Sequence, residues 1–117
     1  MTTTLYGITT CDTVRKARAW LDSQGIAYRF HDLRAEGLEA ERLAGWVDAL
    51  GWETVLNRAG TSFRKLSEAD RIDLDRGKAE RLILANPTLV KRPVLETGGK
   101  VMVGFKPESY AAVFSRD

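Results

Sequence analysis

The first thirty residues alternate in a way that few folds accommodate. Residues 3–8 read as a short, half-apolar strand, Thr9 and Thr10 as a tight turn, and residues 12–21 as an amphipathic helix; after Gly25, residues 26–31 alternate as a second strand. Two strands joined through a helix are expected to lie parallel with a right-handed crossover. That points to an α/β sheet with helices on its faces.

The remainder fits such a sheet. Residues 33–37 read as a loop. Residues 38–50 carry Leu38, Leu43, Trp46, Val47 and Leu50 at helical spacing, closed by Gly51. Residues 54–65 are less regular, and Ser67 caps a short turn with Asp70 three residues on. Residues 76–85 form a helix with Ala79, Leu82 and Ile83 inward, ended by Asn86-Pro87. Residues 92–97 and 100–104 are strands around Gly98-Gly99, a hairpin signal, and Pro107 opens a last helix to Phe114. With no linker, repeat or low-complexity stretch, 1–117 reads as one domain, with a helical insertion at about 38–86.

Composition narrows the function classes. An apolar content of 44%, with three tryptophans, three tyrosines and four phenylalanines, argues for a packed core. The net charge of +2 comes from 18 basic and 16 acidic side chains spread along the chain, which argues against nucleic acid or an anionic membrane as partner. No apolar run approaches the roughly 20 residues of a membrane span, and no signal-like segment opens the chain. A single cysteine allows no internal disulfide, and a cytoplasmic protein is expected. One cysteine and one histidine, His31, argue against a metal site.

That cysteine, Cys11, falls where the first strand hands over to the first helix. Unpaired N–H groups of a first helical turn and the helix dipole favour an anion, hence a thiolate. Arg15 and Lys16 act in the same sense and Asp12 against it. Position alone leaves two readings open: a reactive thiolate, or a small buried hydrophobe. If Cys11 does attack a disulfide, counting cysteines has a consequence. The chain cannot resolve the resulting adduct internally, so an outside thiol must.

The element order, the cysteine at the strand–helix junction and the proline starting the third strand resemble the thioredoxin fold. The segment Tyr6-Gly7-Ile8-Thr9-Thr10-Cys11-Asp12-Thr13-Val14-Arg15-Lys16-Ala17 resembles the active-site stretch of the arsenate-reductase-like family, which includes ArsC and Spx. Asn57-Arg58-Ala59-Gly60-Thr61-Ser62-Phe63-Arg64-Lys65-Leu66 is similar to that family's central arginine motif. Lys91-Arg92-Pro93-Val94-Leu95 resembles its arginine–proline motif, and Gly104-Phe105-Lys106-Pro107-Glu108 the segment entering its last helix. The motifs come in family order and span nearly the whole chain. They resemble the YffB subgroup most, for which glutathione-dependent thiol reduction has been proposed.

The resemblance implies a thioredoxin-like mixed sheet, with a helical insertion between an N-terminal βαβ and a C-terminal ββα unit. It implies Cys11 as the catalytic nucleophile. Arg58, Arg92, Lys106 and Arg15 are the cations that would hold an anion, and Arg92 and Pro93 would position glutathione. It also implies a cis bond before Pro93, where trans is the ordinary state. The expected function is thiol reduction by a monomer, with no bound cofactor, glutathione as co-substrate and glutaredoxin as a possible partner. Arsenate reduction and an Spx-like regulator binding a protein such as RNA polymerase are the alternatives. Two departures weigh against them. Lys106 falls where the arsenate reductases place a third arginine, and Tyr6-Gly7 where they place a histidine; lysine keeps the charge but loses the two-pronged donor. Val14 falls where Spx has the second cysteine of its pair. Among the other candidates, Arg64 and Lys65 read as solvated, His31 as structural, Asn57 as a support for Arg58 or a bend in its loop, and Trp20, Trp46 and Trp52 as core.

Overall fold

The computed structural model describes residues 2–115. They fall into two compact units, one drawn from residues 2–31 and 92–115 and the other from Asp32–Lys91.

The first unit holds a four-stranded sheet in the order β2-β1-β3-β4. Its elements are β1 (Thr3–Gly7), α1 (Asp12–Ser23), β2 (Arg29–Asp32), β3 (Val94–Thr97), β4 (Lys100–Val103) and α8 (Pro107–Phe114). Strand β1 pairs antiparallel with β3, Leu5 opposite Leu95 and Tyr6 opposite Val94. Strand β3 pairs antiparallel with β4, Val94 opposite Val103. Gly98 and Gly99, at φ 55 and 79°, close that hairpin in the left-handed backbone that tight two-residue turns need. Leu5 and Leu95 share one sheet face and bury against Ala17 and Leu21 of α1 and Tyr110 of α8. Trp20, Phe105 and Phe114 pack around this cluster, Trp20 and Phe105 meeting Tyr110 edge-on.

Gly7 sets how closely α1 approaches the sheet. A Cβ there would lie 2.7 and 2.9 Å from the two Val14 methyl carbons, and Val14 is fully buried. Because Gly7 ends β1 and Val14 lies in the first turn of α1, this contact fixes the loop between them.

The second unit is helical. It contains α2 (Leu33–Glu36), α3 (Ala40–Leu50), α4 (Trp52–Val55), α5 (Thr61–Arg64), α6 (Glu68–Arg71), α7 (Arg76–Ala85) and a 3-10 turn at Pro87–Leu89. Leu43, Trp46 and Val47 of α3, Val55 of α4, Phe63 of α5, Ala79 and Ile83 of α7, and Leu89 are buried. Arg76 joins α7 to α3 through Asp48 at 2.8 Å. The Arg76 guanidinium is held above its ordinary pKa, chiefly by its hydrogen bond to that carboxylate.

Several boundaries differ from the sequence reading. Residues 33–37, read as a loop, form a helical turn at Leu33–Glu36, because the Asp32 carboxylate accepts from the amides of Arg34 and Ala35. The second strand begins at Arg29 rather than residue 26, since the Ile26 amide still closes the end of α1 on the Leu21 carbonyl. The first helix runs two residues further, to Ser23, and the third starts at Ala40. The irregular stretch 54–65 contains α5 and the second half of α4. Leu82 is half-buried rather than inward. The Ser67–Asp70 cap forms as read, with the Asp70 amide 3.2 Å from Ser67 Oγ.

Candidate functional site

Cys11 is the residue at which β1, after its turn, becomes α1. Its backbone is extended, with φ −90 and ψ 123°. Its amide donates to the Ile8 carbonyl at 3.3 Å, and its own carbonyl accepts the Arg15 amide at 3.0 Å. The thiol makes no capping hydrogen bond and is half-buried. It is neither sealed in the core nor tied up as a cap, and it sits at the positive end of a three-turn helix.

Arg15, exposed on the first turn of α1, reaches back to the turn before the helix. Its Nε donates to the Thr9 carbonyl at 3.2 Å and its Nη1 bonds the Asp12 carboxylate at 2.6 Å. An exposed ion pair adds little stability. Here it offsets the one acidic charge beside the thiol and braces the turn that carries it.

The sheet register gathers three further candidates at the end where β1 exits. Because β1 and β3 run antiparallel with Tyr6 opposite Val94, the exit of β1 lies at the end of the sheet where Arg92 and Pro93 lead into β3. The Arg92–Pro93 bond is cis, as the resemblance implied. The Pro93 carbonyl accepts the Gly104 amide at 2.9 Å, which holds the exit of β4 at the same level, and Lys106 follows two residues on as the N-cap of α8. Cys11, Arg92, Pro93 and Lys106 therefore belong to one sheet end. The Tyr110 hydroxyl braces this end from below, reaching the Gly104 carbonyl at 3.3 Å, and burial pushes that phenol's pKa up.

Arg92 is the least comfortable residue there. It is half-buried, and its Nε is buried without any hydrogen-bond partner. A buried donor left unmade costs about 1–3 kcal/mol, more when charged. Lys106 is exposed and makes no ion pair among the described residues.

Arg58 belongs to the second unit, in the bend between α4 and α5. It is exposed, and its guanidinium carbon lies 5.7 Å from the centroid of the Trp52 ring. Arg64, read as merely solvated, donates from Nη2 to the Ala59 carbonyl at 2.8 Å. Trp52 is half-buried, whereas Trp46 is core as expected. The sequence carried no periodic signal for either Arg64 or Trp52. His31 packs against Tyr6 with the rings tilted and their centroids 4.8 Å apart, and the Tyr6 hydroxyl donates to Glu96 at 3.1 Å.

A cleft of about 690 Å³ in the second unit is lined by Leu33, Arg34, Leu38, Leu84 and Pro87 among others. One of about 630 Å³ in the first unit lies by Thr3, Trp20 and Phe114. Neither contains Cys11, Arg92 or Lys106, and the position of the chemistry-bearing residues outweighs cleft size in locating the site. Among the described residues, no three His, Cys, Asp or Glu side chains group as metal ligands, and no helix is long and apolar enough to cross a membrane.

A β2-β1-β3-β4 sheet with a cysteine at the N-cap position of its first helix and a cis proline at the head of β3 defines a thioredoxin-like protein. Within that class the chain belongs to the ArsC family, whose model matches residues 6–113. A solved structure described as the YFFB protein is 57% identical, with a TM-score of 0.94 over 97% of this chain and 100% of that one. An arsenate reductase (ArsC) related protein from Brucella melitensis is 55% identical, with a TM-score of 0.77 over 97% and 95% of the two chains. An uncharacterized protein of Haemophilus influenzae is 38% identical over 96% of this chain and 98% of its own. The global transcriptional regulator Spx of Streptococcus agalactiae is 29% identical over 97% and 84%.

Proposed function

We propose that the protein is a glutathione-dependent thiol reductase in which Cys11 is the nucleophile. The Cys11 thiolate attacks the glutathione sulfur of a mixed disulfide. A sulfur–sulfur bond forms to Cys11, and the substrate leaves as a thiolate that takes a proton from solvent. A second glutathione thiolate then attacks the Cys11-bound sulfur, forming oxidised glutathione and returning the Cys11 thiolate. The net reaction reduces one mixed disulfide and oxidises one further glutathione. An outside thiol is required because the chain has one cysteine.

The observation that carries this reading is Arg92. A half-buried guanidinium with no ion pair among the described residues, at the same sheet end as a half-buried thiol, suits an anionic ligand that supplies the missing counter-charge. Glutathione brings two carboxylates. Lys106 offers a second cation from the adjoining strand exit, and Pro93 shapes the surface for an extended peptide. The family motif gives Arg58 the same anion-holding duty, and Arg15 supports the loop. Glutaredoxin would be an alternative source of the resolving thiol.

Arsenate reduction is the second reading, favoured by the family and by the relative named as arsenate reductase related. Lys106 weighs against it, since a tetrahedral oxyanion is held best by forked guanidinium donors. An Spx-like switch needs a second cysteine at position 14, where Val14 is fully buried against Gly7.

Intact-mass analysis of the native protein after exposure to oxidised glutathione tests the proposal. One glutathione should add, reversibly, to the wild type and none to Cys11→Ala. A thiol that reacts only after unfolding would overturn it.

A further inference from the structure

Arg58 stands in a bend, residues 57–60, whose backbone is pinned at several points. The Asn57 amide donates to the Leu89 carbonyl at 2.8 Å, and its side-chain oxygen accepts the Ala59 amide at 3.2 Å. The Ala59 carbonyl accepts from Arg64 Nη2 at 2.8 Å. Gly60 leaves room for this arrangement, since a Cβ there would lie 2.7 Å from Asn57 Nδ2. What no hydrogen bond pins is the Arg58 side chain. Among the described residues it makes no ion pair or hydrogen bond, and its recorded interaction is with the Trp52 ring.

The backbone that carries that ring is itself fixed. Trp52 opens α4 directly after Gly51, whose φ of 87° ends the preceding helix, and its carbonyl accepts the Leu56 amide at 2.9 Å. At 5.7 Å the guanidinium lies within cation–π range of the indole. The two interactions an arginine can make do not compete. Stacking uses the flat face of the guanidinium, while its N–H donors point outward in the plane and stay available to an oxyanion. An arginine already laid on an indole also has less rotamer freedom left to lose when an anion binds.

We propose that Trp52 is a positioning residue, whose ring orients the Arg58 guanidinium to receive an anion while Asn57 and Arg64 hold the backbone beneath it. This rests on the reading of Arg58 as an anion-binding cation. It gives a role to two side chains, Trp52 and Arg64, that the sequence reading had left to the core and to solvent.

Two measurements test it separately. In the wild type, NMR should find the Arg58 δ protons shifted upfield by the indole ring current, and the shift should vanish in Trp52→Leu and persist in part in Trp52→Phe. Kinetics with the mixed disulfide of glutathione and 2-mercaptoethanol should show KM raised about two- to fivefold in Trp52→Leu, the size expected of an exposed cation–π contact. There kcat should be unchanged, and Trp52→Phe should recover most of the loss. In an Arg58→Ala background, Trp52→Leu should have no further effect on KM. Unshifted Arg58 protons in the wild type, or an undiminished Trp52→Leu effect without Arg58, would overturn the proposal. An unchanged KM in Arg58→Ala would instead remove the anion-binding reading of Arg58, with the NMR shift still reporting whether Trp52 holds it.

Discussion

The Gly104 amide donates to the Pro93 carbonyl at 2.9 Å, and this bond ties the segment carrying Lys106 to the residue that follows Arg92. Both cations are therefore presented from one hydrogen-bonded seat. Tyr110 supports it from the core, where its ring packs edge-on against Trp20 and Phe105 and its hydroxyl meets the Gly104 carbonyl.

Tyr110 gives the fold a pH dependence with a definite sign. Burial raises its phenol pKa above the ordinary value, so the folded state keeps a proton that the unfolded chain loses. The stabilising contribution is complete below the unfolded pKa of about 10 and declines as pH rises through the interval above it, by up to about 1.4 kcal/mol per pH unit. Denaturant titrations of the wild type and Tyr110→Phe at pH 8 and pH 11 should show a smaller loss in the variant. Parallel pH curves for the two proteins would mean that Tyr110 ionises freely in the fold.

Gly7→Ala should destabilise the protein by about 1–3 kcal/mol, because the new methyl would overlap both Val14 methyl carbons. Combining it with Val14→Ala makes room for the new methyl. The double variant should therefore be more stable than the sum of the two single losses predicts, a coupling measurable by chemical denaturation. Simple additivity would show that the helix yields without strain.

Arg92→Ala should separate activity from stability. Alkylation of Cys11 by iodoacetate, which is anionic, should slow by about fivefold relative to neutral iodoacetamide, since a unit charge at close range is worth about 1 kcal/mol in water. The melting temperature should hold or rise, because the substitution removes a donor buried without a partner. A large drop in melting temperature with an unchanged reagent ratio would mark Arg92 as a structural side chain.

Arsenate turnover with glutathione and glutaredoxin should be weak in the wild type and should rise at most modestly in Lys106→Arg. Reduction of a glutathione mixed disulfide should dominate in both. Efficient arsenate reduction by the wild type, with no activity on the disulfide, would reverse the order of the two readings.

The legibility of this fold follows element length. Helix α3 and the Gly98-Gly99 hairpin were plain in the sequence, because eleven residues carry three helical turns of apolar spacing and paired glycines serve few other turns. The four-residue helices α2, α4 and α5 were not, since one turn contains no period to read. The Asp32 carboxylate caps α2, while α4 and α5 are anchored by the buried side chains of Val55 and Phe63. At the candidate site the positions of Cys11 and Pro93 followed from strand order. That Arg15 reaches back to Thr9 and Asp12 did not, because side-chain partners are chosen by rotamer and loop geometry rather than spacing. The orphaned Arg92 Nε likewise becomes visible only once its surroundings are in place.

The pairing of β1 with β3 also governs how the protein comes into being. The buried hydroxyls of Thr3 and Thr97 meet at 2.8 Å across 94 positions of chain. On the ribosome β1 emerges ahead of both its neighbours, and one of them, β3, follows only after the whole of Asp32–Lys91 has been translated. Until then the inner edge of β1, including Leu5 and Tyr6, is an open template for any other strand. The helical segment between needs no such wait: its contacts are local and can form while the sheet is still incomplete. The sheet end that carries Cys11 thus waits for β3 and β4, and a nascent chain exposes its thiol before Arg92 and Lys106 have been translated.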